Sequence, residues 1–353
     1  MMQRNVSLAA YTSLELGGPA EHFAKIDTRD DLLEALAWAA QSGLTVNVLG
    51  GGSNVIVSDA GLQGLTLLMA TRGLSIEADT GRVTAQAGES WDALVVRCVQ
   101  AQLSGIECLS GIPGSVGAAP IQNIGAYGQE LSSTVKAVEV LDVQTLQTHW
   151  VERADCAFSY RHSRWKHAPG REIVLSLQLD LVPGAQPTLQ YAELTRALHG
   201  EEPTPSRVRE RVLELRRNKS MLLEDDENRR SVGSFFMNPI VTASEAERVC
   251  ELALQRGLIK LASELPQYPQ ADARVKLSAA WLIERSGTRK GELHGAVGIS
   301  TKHCLALVHH GGGSAHALLE LAELVRARVQ HSFGIALELE PVRLGFEAAR
   351  ERR

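Results

Sequence analysis

The chain of 353 residues is short of most features that mark a specialised class of protein. Aromatic residues make up only 5% of it, and no apolar run approaches the roughly 18 residues that a transmembrane helix needs. Its start, MMQRNVSLAAYTSLELGG, lacks the apolar core of a signal peptide, so a cytoplasmic protein is expected. The five cysteines (Cys98, Cys108, Cys156, Cys250, Cys304) are odd in number, scattered and without a CxxC pair. That pattern argues against a disulfide framework and a zinc site, and for buried free thiols. His303 and the pair His309-His310 lack partners at ligand spacing, so no metal is expected. Basic charge is short as well: 36 Lys and Arg against 41 Asp and Glu leave a formal charge of -5, which provides no field for holding a nucleic acid.

What remains is an ordinary globular composition, 44% hydrophobic and 22% charged, with a mean hydropathy of -0.07. The length exceeds the ~100 to 200 residues of one domain and predicts two. A capping threonine, two acids and apolar residues at helical spacing predict a helix over Thr28 to Gly43, followed by a strand at Thr45 to Leu49. The loop GGGSN at 50 to 54 then leads into a strand, Val55 to Val57, and Ser90 opens a second helix. From Val135 to Leu181 the apolar period changes to two, which predicts antiparallel strands with one buried face. Proline-containing segments at 183 to 187 and 201 to 205 place the domain boundary there. Beyond it, helices are expected at Ser206 to Lys219, Ser244 to Arg256, Lys276 to Arg285 and Ser314 to Ser332, with strands at Cys304 to Val308 and Ile335 to Glu340.

Glycine loops between strands can bring consecutive backbone N–H groups into a concave nest that binds phosphate, because no Cβ holds the anion away. One such loop is Gly50, Gly51, Gly52, Ser53 and Asn54; the other is GIPGSVGAAPIQNIGAYG at 111 to 128. Each alone reads as a tight turn, but together they favour a diphosphate or dinucleotide cofactor. The first loop runs into a strand rather than a helix and neither contains lysine, which disfavours both Rossmann and P-loop sites. Gly311-Gly312-Gly313 precedes a helix start where an anion could also sit, although a hairpin and cap explain it.

In FSYRHSRWK, Arg161 offers a planar, permanently charged fork for a carboxylate, against the alternative of a solvated basic face. SVGSFFMNP sets the Ser234 hydroxyl beside glycine and two phenylalanines, either as a core-anchored turn or as a hydroxyl in a dry pocket. Glu338 and Glu340 alternate with apolar residues before Pro341 and would share one strand face.

Taken in order, YTSLELGGPAEHF, LGGGSNVIVSD, LSGIPGSVGAAPIQNIGAYGQE, FSYRHSRWK, GSFFMNP, PQADARVKLSAAWLIE and LELEPVRLG resemble the bacterial UDP-N-acetylenolpyruvoylglucosamine reductases (MurB), flavoenzymes of peptidoglycan precursor synthesis. The resemblance implies an α+β protein: an FAD-binding domain of the PCMH/VAO type, expected over 1 to 188, and a smaller α/β substrate-binding domain over 206 to 346. A linker with a tyrosine loop would span 189 to 205, and a charged tail 347 to 353. Noncovalent FAD would lie against Gly50 to Asn54 and against Gly111, Pro113, Gly114, Ser115, Gly117 and Ala118, with Ile121, Asn123 and Gly125 beyond them.

By the same resemblance Arg161 polarises the substrate, Ser234 donates a proton, and Glu340 is the third catalytic residue, with Glu338 as the alternative register. Tyr191 would close over the nucleotide, and Lys219, Asn238 and His303 would touch the substrate. The activity implied is NADPH-dependent reduction of the enolpyruvyl UDP-sugar by a monomer without membrane or nucleic-acid partners. Two other readings stand beside it: an oxygen-using oxidase, against which the lack of a histidine in GGGSN speaks, and a nonenzymatic nucleotide-sugar sensor, which would need no proton donor.

Overall fold

A computed structural model describes residues 2–346; the expected tail at 347–353 lies outside the described residues. The chain divides into two compact units. The first comprises the chain up to Thr12, Gly18–Ser53 and Ala60–Leu223. The second comprises Ser13–Gly17, Asn54–Asp59 and the described chain from Glu224.

In the first unit Thr28 caps the helix Arg29–Gln41 through a reciprocal capping box with Asp31, the local signal that made this helix legible. Leu32, Ala35, Leu36 and Ala39 face a four-stranded sheet in which Pro19–Ile26, Leu62–Met69 and Val46–Leu49 run parallel and Gln3–Ser7 pairs antiparallel at the edge. A second, five-stranded antiparallel sheet contains Val135–Asp142, Thr148–Glu152 and Glu172–Asp180. Its central strand is buried on both faces rather than one: Ile173 and Leu175 join the cluster under the first helix, while Val174, Leu177 and Leu179 join that of the helix Trp91–Gln100.

The boundary lies later than the proline segments suggested. Helices Ala192–Ala197 and Pro205–Arg217 belong to the first unit, because Leu194, Leu198, Val208 and Val212 pack with Cys108 and Arg209 pairs with Asp92. Pro205 starts a helix here and does not end a domain.

The second unit gathers helices Ala243–Gln255, Ala279–Arg285 and Ala315–Phe333 and short strands around Phe235, Phe236 and Phe333. The helix expected from Lys276 begins at Ala279, with Lys276 in the strand Val275–Leu277, and the strand expected at 304 to 308 is Leu307–His309. No strand forms over Ile335 to Glu340. Burial alternates there as expected, but the facing segment is framed by left-handed Gly233 and by Pro239, so one bridge, Phe236 to Leu339, is all that pairs. The helix start after Gly311-Gly312-Gly313 is closed by the protein itself: amides of Ala315 and His316 donate to Asp59 at 2.8 and 3.0 Å. Among the described residues no helix is long and apolar enough to cross a membrane, and all five cysteines are free thiols, four of them buried.

Candidate active site

The two glycine loops meet backbone to backbone. A Cβ on Gly51 would stand 2.6 Å from the Gly114 Cα, one on Gly114 would stand 2.8 Å from the Ser53 Oγ, and one on Gly50 would strike the Ser115 hydroxyl. Ser53 locks the junction by donating to the Pro113 carbonyl at 2.8 Å. Within the described residues the amides of Gly51, Gly52, Gly114 and Ser115 make no hydrogen bond, and the buried Ser115 Oγ finds no partner. Gly51 is exposed and Gly114 half-buried, open to a ligand, and beside them the buried Ser115 hydroxyl lacks a partner, so this junction has the donor set that an anion such as a diphosphate satisfies.

The rest of the second loop is not a continuous nest. Amides of Gly111, Val116, Gly117 and Ala118 donate to Asp92, Glu89, Ala87 and Ser115, and the chain then turns through short helices at Val116–Ala118 and Ala119–Gln122.

Past them, Ile121, Asn123 and Gly125 hold the arginine turn. Asn123, buried and left-handed at φ +43, donates to the Ser159 carbonyl at 2.9 Å and accepts from the Ser132 amide. Ser163 donates to the Ile121 carbonyl at 2.7 Å. Arg161 takes φ +54 between the paired Ser159 and His162, and its guanidinium donates to the Gly125 carbonyl at 2.7 Å while lying 5.5 Å from the Tyr160 ring. The Asn123 side chain therefore serves the arginine turn.

Tyr191 and Lys219 come together around a residue that sequence reasoning passed over. Tyr127, inside the glycine stretch, stacks edge-on with Tyr191 at 5.5 Å and lies 5.8 Å from the Lys219 ammonium, which Glu193 holds at 2.6 Å. Gly128 leaves room for Gln190 to pack beside it. Arg216 was missed too. It is buried against Gly111, its Nε lacks a partner, and burial lowers its guanidinium pKa against the pull of Tyr127 and Asp92. Burial would raise the Asp92 carboxyl, but Arg209 and the Gly111 amide outweigh it and hold it below the usual range. An arginine on a helix face carries no sequence signal of such burial; Tyr127, within the AYG of the glycine stretch, could have been found from its place in that stretch.

In the second unit the bonding around GSFFMNP fixes four candidates. Phe235 donates to the Leu305 carbonyl at 2.8 Å and accepts from the Glu340 amide at 3.1 Å, which sets Glu340 across from the residue next to Ser234. Glu338 pairs instead with Met237, two residues on, and is exposed. His303 accepts from the Leu305 amide at 3.0 Å, bracing the turn that holds Phe235. Asn238 caps the helix Ala279–Arg285 through the Ala279 amide at 2.9 Å, and Asn54 donates to the Glu340 carbonyl at 3.4 Å. Arg161 belongs to the first unit and Ser234 and Glu340 to the second.

A family model for an FAD binding domain matches residues 20–148, and one for the C-terminal domain of UDP-N-acetylenolpyruvoylglucosamine reductase matches 225–344. Curated proteins of that name are similar over almost the whole chain. The one from Thermobifida fusca is 46% identical, covering 97% of this chain and 98% of its own length; that from Streptomyces avermitilis is 45% identical, covering 96% and 94%. The chain belongs to the UDP-N-acetylenolpyruvoylglucosamine reductase family. The solved reductase from Thermus caldophilus matches with a TM-score of 0.66 at 27% identity, over 98% of this chain and all of the other.

As a member of the reductase family the chain is an FAD-dependent oxidoreductase, with FAD and NADPH as its redox cofactors. Its architecture is the expected one, an FAD-binding domain followed by a C-terminal reductase domain of mixed helix and strand. The start of the second model at residue 225 coincides with the unit boundary at Glu224 and not with the boundary read from the prolines.

Proposed function

We propose that this reductase converts UDP-N-acetylenolpyruvoylglucosamine to UDP-N-acetylmuramate in the cytoplasm with electrons from NADPH, as a step of peptidoglycan precursor synthesis. The observation that carries the reading is Ser234: a hydroxyl between left-handed Gly233 and fully buried Phe235, with Glu340 tied to that phenylalanine. A sensor would have no use for a proton donor whose neighbour in the chain is tied to the backbone of a glutamate.

Bound FAD would supply the hydride chemistry between NADPH and the vinyl carbon C3 of the enolpyruvyl group. The glycine junction at Gly51 and Gly114 would hold its diphosphate on free amides and the Ser115 hydroxyl. Hydride addition at C3 leaves C2 electron-rich, and its charge spreads into the adjoining carboxylate. Arg161, already fixed on the Gly125 carbonyl, is a preorganised cation for that charge. Ser234 then gives its proton to C2, since an alcohol suffices as acid toward so basic a carbon. Glu340 would orient or recharge that hydroxyl, and Tyr191, Lys219, Asn238 and His303 would bind the nucleotide sugar.

Ser234→Ala tests this. Reduction of the bound flavin by NADPH needs no proton at C2 and should keep its rate. Reoxidation by the enolpyruvyl nucleotide should slow roughly 10²- to 10⁴-fold, the usual cost of removing a general acid. Anaerobic stopped-flow at the flavin absorbance reads both steps, and equal slowing of the two would reduce Ser234 to a packing residue.

A further inference from the structure

The short excursion of the chain at Ser13–Gly17 into the second unit bonds to the stretch that leads into Ser234. Ser13 Oγ donates to the Ser231 carbonyl at 2.6 Å. Leu14 offers its carbonyl to the buried His309 Nε2 at 2.5 Å, while His309 Nδ1 accepts from the Gly311 amide and the His309 amide donates to the Arg230 carbonyl. Glu15 grips both neighbouring arginines, Arg229 Nη1 with one carboxylate oxygen and Arg230 Nε with the other at 2.5 Å. It does so from φ +54, a left-handed conformation that a glutamate holds only when its surroundings fix it. Ser13 and Glu15 thus hold 229–231 directly and Leu14 does so through His309, while Ser231 is bridged to Val308.

Ser234 follows three residues later, with its far side pinned by the buried Phe235 and Phe236. Between the two anchors lies Gly233, at φ +72 with no atom within 4 Å of where a Cβ would be. The phenylalanines anchor one end of this span in the core; at the other end the buried Val232 is joined by the ion pairs and hydrogen bonds from 13–15 and 308–309, which fix residues 229–231. We infer that Glu15 is a positioning residue for the Ser234 hydroxyl: its ion pairs to Arg229 and Arg230, with the Ser13 bond to Ser231, set the upstream end of the loop that aims the proton donor. The Arg230 guanidinium above all, against the opposing effect of burial and with help from Arg229, holds the Glu15 carboxyl below its usual range. The inference rests on the reading of Ser234 given above.

Glu15→Gln in the full-length holoenzyme keeps the shape and removes the charge. Flavin reduction by NADPH should stay within about twofold of wild type, while reoxidation by the enolpyruvyl nucleotide slows roughly tenfold or more, since small misplacements of a reacting group cost on that scale. Ser13→Ala should act in the same direction with smaller size, and Glu15→Asp should restore part of the rate. The deciding measurement is the double variant with Ser234→Ala. A residue that acts through Ser234 loses its effect once the hydroxyl is gone, so reoxidation should be no slower than in Ser234→Ala alone. Equal slowing of both half-reactions, wild-type reoxidation in Glu15→Gln, or a full additive loss in the double variant would overturn the clip. If Ser234→Ala itself reoxidised at the wild-type rate, the proton-donor reading would fall instead. A Glu15→Gln protein without bound flavin would show a purely structural part and would likewise refute the inference.

Discussion

Gly51 in the first unit stands so close to Gly114 that a Cβ would lie 2.6 Å from its Cα, whereas Gly233 in the second has nothing within 4 Å of its Cβ position and a φ of +72. Both flank groups proposed for the reaction, yet for opposite reasons: Gly51 supplies space and Gly233 supplies a backbone angle. The same contrast runs through the rest of the two sites. The first unit forms its proposed anion site by bringing bare backbone together, and the side chains there, Ser53 and Asn123, bond to carbonyls. Around its proposed proton donor the second relies on side chains: Glu15 on two arginines, His303 on the Leu305 amide and Asn238 on the Ala279 amide.

Asparagine distinguishes the two cases, because it tolerates left-handed φ but not the loss of space. Gly51→Asn should force the loops apart, lose bound flavin and destabilise the protein by about 1–3 kcal/mol, as overpacking does. Gly233→Asn should retain flavin and cost under about 1 kcal/mol. Absorbance of the purified proteins and denaturant midpoints read both effects, and a Gly51→Asn protein with full flavin would end the comparison.

A smaller effect is expected at Arg161, where the first unit does rely on a side chain. Arg161→Lys keeps the charge but not the fork that spans the Gly125 and Asn123 carbonyls at 2.7 and 3.4 Å. Turnover should fall by roughly 10²-fold, the scale for losing one preorganised donor to developing charge, with flavin content unchanged. Near-wild-type kcat would return Arg161 to a solvated basic face held by its turn.

What the sequence made legible was local. The capped helix at 29–41, the two glycine loops and the strings around Arg161 and Ser234 each carry their signal within a few residues. What it hid was set by partners far along the chain. Nothing in GGGSN says that its glycines face Gly114 and Ser115, and nothing near Gly311 says that Asp59 closes the following helix. Alternating burial at 335–340 predicted a strand that has almost no partner to pair with, because Gly233 and Pro239 limit the facing segment. Arg216 and Glu15 look like surface charges until Gly111 and the Arg229-Arg230 pair are brought against them.

The smallest expected effect concerns pH and separates the units by their titrating groups. His309 is buried, with one ring nitrogen donating to the Leu14 carbonyl and the other accepting from the Gly311 amide, an arrangement that only the neutral ring can make. Burial first, then the positive charge of Arg230, lowers its pKa below 6.5, against the hydrogen bond to Leu14 and the charge of Glu15. In the unfolded chain the ring titrates at about 6.5, so between the folded value and 6.5 the unfolded state binds more protons. The contribution is therefore complete above about pH 6.5 and falls away as pH drops through the folded value, by at most about 1.4 kcal/mol per pH unit for one group. Asp92 in the first unit, held below 3.8, loses nothing until far lower pH. Hydrogen exchange resolved by peptide should show 305–310 losing protection between pH 6.5 and 5 while 89–117 keeps it, each relative to intrinsic rates. His309→Gln, which can still donate to Leu14, should flatten the slope at 305–310. An unchanged slope in that variant would mean that some other group in the second unit titrates there, and that the fixed histidine contributes only its hydrogen bonds.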